Sequence, residues 1–219
     1  MSDIQTEGTC LSCSSVLSKA AMSGHLRACL KKAGAGRKSA ALAAGSFHIS
    51  AEGRYAPFYW IHIEASGRCT LYDLDELLRQ LWLECCGHMS AFTIEKREYV
   101  SSPDDDMGDP DMDIRLDRVL RPGLKLFHQY DFGSTTDVQL KVVSRFDTTG
   151  GGKSVRLLAR NLAPAIPCDE CSALAVQVCT YCGPEVWLCK ACAPRHECGE
   201  DSYLRVVNSP RVATCGCTG

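Results

Sequence analysis

Phe58-Tyr-Trp-Ile-His-Ile63, followed shortly by Thr70-Leu-Tyr-Asp-Leu-Asp-Glu-Leu-Leu-Arg-Gln-Leu-Trp82, sets a β-prone apolar run in front of a helical pattern. Aromatic and β-branched residues pack well on a pleated surface, so the first stretch reads as a strand. Thr70 is a suitable N-cap, and Asp73, Asp75 and Glu76 place negative charge in the first turns, where the helix dipole favours it. Leu71, Leu74, Leu78, Leu81, Trp82 and Cys85 recur at helical spacing and mark one buried face. Working outward, Met89–Glu95, Leu124–Tyr130, Thr136–Arg145 and Ser154–Arg160 read as strands. Gly133 and the run Gly150–Gly152 supply turns, and Leu116, Val119 and Leu120 before Pro122-Gly123 suggest a short helix. Without βαβ regularity the class is α+β, with a mostly antiparallel central domain over 46–162.

The chain of 219 residues can hold one sizeable core plus small modules. It contains no apolar run long enough for a membrane span and no leader peptide, so a cytoplasmic location with no membrane contact is expected. Fifteen cysteines in a reducing compartment point to metal ligation rather than a disulfide framework, and most occur as C-x2-C pairs. The net charge of −2 is unevenly spread. Residues 8–51 carry Lys19, Arg27, Lys31, Lys32, Arg37 and Lys38 without any Asp or Glu, leaving −8 on the rest. Such an arm favours a polyanion, although a solvated face has the same composition.

Cys10, Cys13, His25 and Cys29 follow the spacing C-x2-C-x11-H-x3-C, that of a small zinc finger over 1–32. Leu17 and Met22 stand where such a finger needs its apolar core. The positions that would read bases are Ser18, Ala20, Ala21 and Gly24, none able to make a bidentate contact to a base edge. Any nucleic-acid contact would therefore be to phosphate, through the basic residues between 19 and 38. Residues 33–45 read as a basic, flexible linker; the fragment GAGRKS lacks the spacing of a phosphate-binding loop.

The second constellation is Cys168-x2-Cys171-x7-Cys179-x2-Cys182-x6-Cys189-x2-Cys192-x3-His196-x-Cys198. Eight soft ligands in four pairs make two tetrahedral sites, and alternating pairs interleave. Cys168, Cys171, Cys189 and Cys192 are assigned to one zinc, and Cys179, Cys182, His196 and Cys198 to the other. The arrangement resembles B-box-type cross-brace modules and occupies 163–200, with a tail over 201–219. Closed coordination shells make these sites structural. The module's acidic surface (Asp169, Glu170, Glu185 and Glu197 against Lys190 and Arg195) favours a protein partner over nucleic acid. About three zinc ions per chain follow from the ligand count.

Other features admit two readings. Cys85-Cys86-x-His88 is a metal or redox corner or simply packing, and Cys215-Gly-Cys217 an exposed thiol pair or auxiliary ligands. The acidic run Pro103–Asp113 lacks the spacing of a calcium loop and reads as solvated. Asp131-Phe132-Gly133 reads as a turn, with Asp131 capping it and Tyr130 and Phe132 packing. Glu84, His88 and Asp131 could converge as acid and base.

The runs FYWIHIEASGRCTLYDLDELLRQLWLECCGHMSAFTIEKREY (58–99), RLDRVLRPGLKLFHQYDFGSTTDVQLKVV (115–143) and VVNSPRV (206–212) resemble the plasmid pRi ORF-three-like family, proteins carried by insertion elements. The resemblance covers roughly residues 46–160. It implies an α+β fold and a mobile-element setting without an assigned activity; many members carry a second His where this chain has Ser90.

The expected function is that of a zinc-binding interaction protein, touching nucleic acid non-specifically through its basic N-terminal segment. The alternative is an enzyme of mobile-element or nucleic-acid metabolism with its active site in the central domain.

Overall fold

The computed structural model describes residues 6–34, 45–83, 86–103, 108, 110–146 and 152–215, with the side chains of 31–34 excepted. It is an α+β structure built on a large antiparallel sheet. Strands β1 (Glu7–Cys10) and β2 (Val16–Ser18) lead into α1 (Lys19–Gly34), then β3 (Ser46–Gly53), β4 (Trp60–Ser66) and α2 (Leu71–Leu78). Next come β5 (Ser90–Ile94), β6 (Arg97–Val100), the one-turn α3 (Leu116–Val119), β7 (Lys125–Tyr130), β8 (Thr136–Phe146) and β9 (Val155–Asn161). Three short strands close the chain, β10 (Gln177–Cys179), β11 (Val186–Leu188) and β12 (Tyr203–Arg205). Among the described residues the main sheet has the order β2-β1-β9-β4-β3-β8-β7-β5-β6, and a small sheet the order β11-β10-β12.

The central strands alternate between two buried faces. Phe47, Ile49, Ile61 and Ile63 point to one side, where Leu71, Leu74 and Leu78 of α2 and Trp82 complete the larger core. Helix α2 starts as expected: Thr70 Oγ1 accepts from the Asp73 backbone N–H and the Asp73 carboxylate accepts from the Thr70 N–H, a reciprocal capping box. It ends differently. Residues Arg79–Leu83 form a π-helical turn, whose wider repeat shifts the phase of the buried stripe. Leu83 is consequently buried, whereas Leu81, expected in the core, is only half-buried.

On the opposite face Trp60 and Leu158 receive Met22 and Leu26 of α1, with Cys10 and Ala159 completing a second core. The N-terminal finger is therefore no separate knob. Its strand β1 pairs with β9, Gly8 opposite Asn161 and Cys10 opposite Ala159, so the finger's hairpin is the edge of the main sheet. Gly8 is required there, since a Cβ would overlap the Trp60 indole. Leu17 and Met22 do pack as expected, but Trp60 from the central domain completes that core.

The C-terminal segment is not a loose tail either. After β12 the chain returns to the main sheet: Asn161 Nδ2 donates to Asn208 Oδ1 at 2.7 Å, Asn208 Nδ2 donates to the Asn161 backbone carbonyl at 3.0 Å, and Ser209 Oγ donates to Trp82 O at 2.7 Å. The cysteine-rich module is thus an excursion between β9 and this returning strap. Among the described residues no helix is long and apolar enough to cross a membrane.

Candidate metal centres

Three groups of four ligand atoms occur among the described residues, each group lying within 4.8 Å: Cys10, Cys13, His25 and Cys29; Cys168, Cys171, Cys189 and Cys192; Cys179, Cys182, His196 and Cys198. The interleaved pairing read from the spacing is the one the backbone adopts. Each group could hold a metal ion.

Two sulfurs bound at about 2.3 Å in a tetrahedron lie about 3.8 Å apart, and a sulfur and an imidazole nitrogen about 3.5 Å. The observed separations are 3.7 Å for Cys171–Cys189 and for Cys171–Cys192, 3.8 Å for Cys179–Cys182 and 3.6 Å for Cys182–Cys198. Nε2 of His25 lies 3.3 Å from Cys13 Sγ, and Nε2 of His196 lies 3.4 Å from Cys182 Sγ. Disulfide-bonded sulfurs would be near 2 Å, and all the ligand cysteines are free thiols.

Local structure sets these positions. The finger's two cysteines flank the β1–β2 turn, where Ser14 takes a positive φ of 60° and Cys10 O accepts from Ser14 N at 2.8 Å. His25 and Cys29 stand four residues apart on α1 and share one helix face. In the C-terminal module the Tyr203 hydroxyl donates to Ala193 O at 2.8 Å, and Asp169 accepts from Trp187 N at 2.7 Å, bracing the loops that carry the ligands.

Crowding shows in the acidities. The Ser15 hydroxyl and backbone pull the Cys13 thiol down to about 6. Burial opposes ionisation of Cys179, but the Ser202 hydroxyl and the loop amides outweigh it and bring that thiol to about 6. Cys182 moves the other way, to about 11, because it hydrogen-bonds Cys198, is partly desolvated and faces Cys179. Four soft ligands at these distances cannot all ionise without a countercharge, and a divalent cation supplies it.

The basic residues behave unequally. Lys19, expected to be available for phosphate, is committed: its Nζ lies 2.5 Å from Glu52 and donates to Pro57 O at 2.6 Å. Arg27 is exposed. The side chains of Lys31 and Lys32, and residues Arg37 and Lys38 altogether, lie outside the described residues. So do Glu84, Cys85, Cys217, residues 104–107 and 109 of the acidic run and residues 35–44 of the linker. Cys86 is exposed and Cys215 half-buried, and neither belongs to the three groups.

His88 and Asp131 do approach, at 3.7 Å, but Asp131 is already engaged. Its Oδ2 accepts from Arg211 at 2.7 Å, and its Oδ1 accepts from the Gly133 and Ser134 amides at 3.0 and 3.2 Å. The Arg211 bond, and then these amides, hold the carboxyl at about 2. The turn's positive φ falls on Asp131 (64°) rather than Gly133, and Phe132, expected to pack, is 49% exposed. The polar cluster that spacing did not reveal lies beneath α2. Asp75 accepts from His128 Nε2 at 2.6 Å, from Arg79 Nε at 2.6 Å and from the Ser90 hydroxyl at 2.9 Å. Burial resists ionisation of Asp75, but His128 and Arg79 win and hold its carboxyl below the usual range. A lone acidic residue on the core face of α2 was its one sequence signal.

No family model and no curated protein matches the chain. Among solved structures, a protein of unknown function, MM3350, from Methanosarcina mazei Go1 is similar with a TM-score of 0.47 and 13% identity, over 54% of this chain and 70% of that one.

Proposed function

We propose that this is a zinc protein with three structural sites, whose C-terminal module engages a protein partner. The observation that carries the reading is the set of inter-ligand separations, 3.6–3.8 Å between sulfurs and 3.3–3.4 Å between sulfur and nitrogen. These suit a closed tetrahedral zinc shell, in which every position is filled by protein and the ion braces the fold. The acidic surface around the C-terminal sites supports a protein partner. The central domain's run of motifs supports kinship with plasmid pRi ORF-three-like proteins.

A secondary role in non-specific nucleic-acid binding rests on Arg27 together with Lys31, Lys32, Arg37 and Lys38, and Lys19 drops out of it. Metal analysis of the purified chain tests the main reading: about three zinc ions are expected, and one or none overturns it. Binding to random DNA and RNA against salt tests the secondary role. Replacing Arg27, Lys31 and Lys32 by Gln suits this better than truncation, because removing the finger would strip an edge from the main sheet. An unchanged salt slope removes the nucleic-acid role.

A further inference from the structure

A cavity of about 710 Å³ opens between the first turn of α1 and the sheet face formed by β3 and β4. Its size falls within that of small-ligand sites. Lys19, Ala20 and Ser23 line one side, and Glu52, Trp60 and His62 the other. We propose that this cavity binds a small monocarboxylate carrying an apolar body.

Donors face the space from the start of α1 and from His62, while Glu7 and Glu52 line it with carboxylates. Helix α1 runs for 16 residues with no acidic side chain in its first turn, so nothing on the helix offsets its positive end. Ser18 Oγ accepts from the Ala21 amide at 3.4 Å, leaving the Ala20 amide without an intrahelical acceptor. His62 is the independent observation. It is only 3% exposed yet lines the cavity, and its Nδ1 lies 2.9 Å from His48 Nε2. Its Nε2 has no hydrogen-bond partner among the described residues.

The proton on this histidine pair can be placed. His48 Nδ1 is buried without a partner, and an orphaned lone pair is tolerated more readily than an orphaned N–H. His48 therefore carries its proton on Nε2 and donates it to His62 Nδ1. His62 then carries its own proton on Nε2 and presents an N–H donor to the cavity. Burial, reinforced by repulsion from Lys19 and Arg27, keeps both rings neutral, so this donor persists at neutral pH.

Charge decides the class of anion. Lys19 and Glu52 form a pair at 2.5 Å that cancels locally, and Glu7 also lines the cavity. With Glu52 offset by Lys19, Glu7 leaves the lining one negative charge, whose repulsion a dianion feels twice as strongly as a monoanion. A single carboxylate meets one helix terminus and one imidazole N–H. Pro57 and the Trp60 ring offer the apolar wall for the remainder of the ligand.

The test is titration of the full-length, metal-loaded chain with benzoate, benzamide and inorganic phosphate, followed by amide and imidazole NMR shifts. Benzoate should saturate and move the Ala20 amide and the His62 ring N–H. Benzamide and phosphate should bind at least about tenfold more weakly, the worth of one charge-assisted hydrogen bond. His62→Gln keeps an N–H donor and should stay within about threefold of the parent, whereas His62→Phe should lose about tenfold or more. If His62→Phe does not fold, Ser23→Tyr, made on the solvent-facing helix wall, should fill the space and abolish saturation. Absence of saturation with benzoate, equal binding of benzamide, or tighter binding of phosphate each overturns the proposal. Since the donors belong to the polypeptide, its failure would leave the zinc reading intact.

Discussion

Arg211 sets its Nη2 2.7 Å from Asp131 Oδ2, joining the last described segment of the chain to the turn after β7, 80 residues upstream. Its Nη1 also donates to Ser134 O and Thr136 Oγ1, each at 3.0 Å, and its guanidinium lies 4.9 Å from the centre of the Tyr130 ring. The contact closes the excursion that contains the two C-terminal Cys/His groups, so the ends of that module are anchored on the main sheet.

Arg211→Ala should lower the urea midpoint without changing its slope, because it leaves the Asp131 carboxylate facing a buried site without its fork. Arg211→Lys should restore little, since a point ammonium cannot reach Asp131, Ser134 and Thr136 together. A midpoint equal to the parent's in both variants would show that the strap contributes nothing.

Asp75→Ala should cost about 3–5 kcal/mol in chemical denaturation, because His128 and Arg79 lose their common acceptor in the interior. Asp75→Asn should do no better than partial repair, since a neutral amide cannot accept from all three donors with one oxygen. A cost below about 1 kcal/mol would contradict the network.

The two buried histidines give a signed pH effect. Burial, with help from Arg27, brings His48 to about 4; burial, His48 and Lys19 bring His62 to about 3. The unfolded chain binds these protons near pH 6.5, before the native state does, so stability falls as pH drops from about 6.5 toward about 4. His48→Gln should flatten that part of the melting-temperature profile. An unchanged slope would mean the pair is not neutral in the native state.

Leu26→Ala should destabilise the whole chain by about 2–5 kcal/mol and leave a single unfolding transition, since α1 shares its core with Trp60 of the main sheet. A separate low-temperature transition for the finger would show that it folds alone.

Cys13→Ser, Cys189→Ser and Cys182→Ser each remove a ligand from a different group. Each should reduce bound zinc by about one ion of about three, read by elemental analysis. Loss of all the metal from any one of them would mean that the sites are not independent.

The three Cys/His groups were legible because candidate ligand pairs two to four residues apart sit on one local turn, and the order of pairs leaves the interleaved arrangement as the compact one. The strands of the central domain were legible from alternation, and α2 from its cap and leucine spacing. The phase slip at Leu83 was not, because a π-turn is decided by what the helix packs against.

By itself, then, the sequence determined the α+β class, the grouping of cysteines and histidines that could hold metal and the inability of Ser18, Ala20, Ala21 and Gly24 to read bases, all consequences of local spacing and side-chain chemistry. Only the tertiary structure decided that the finger is an edge of the main sheet, that Lys19 is spent on Glu52, that Asp75 meets His128, and that Arg211 returns to Asp131. Those relationships join residues 33 to 153 positions apart, and which strands pair is set by burying shared apolar faces, a property no single segment carries.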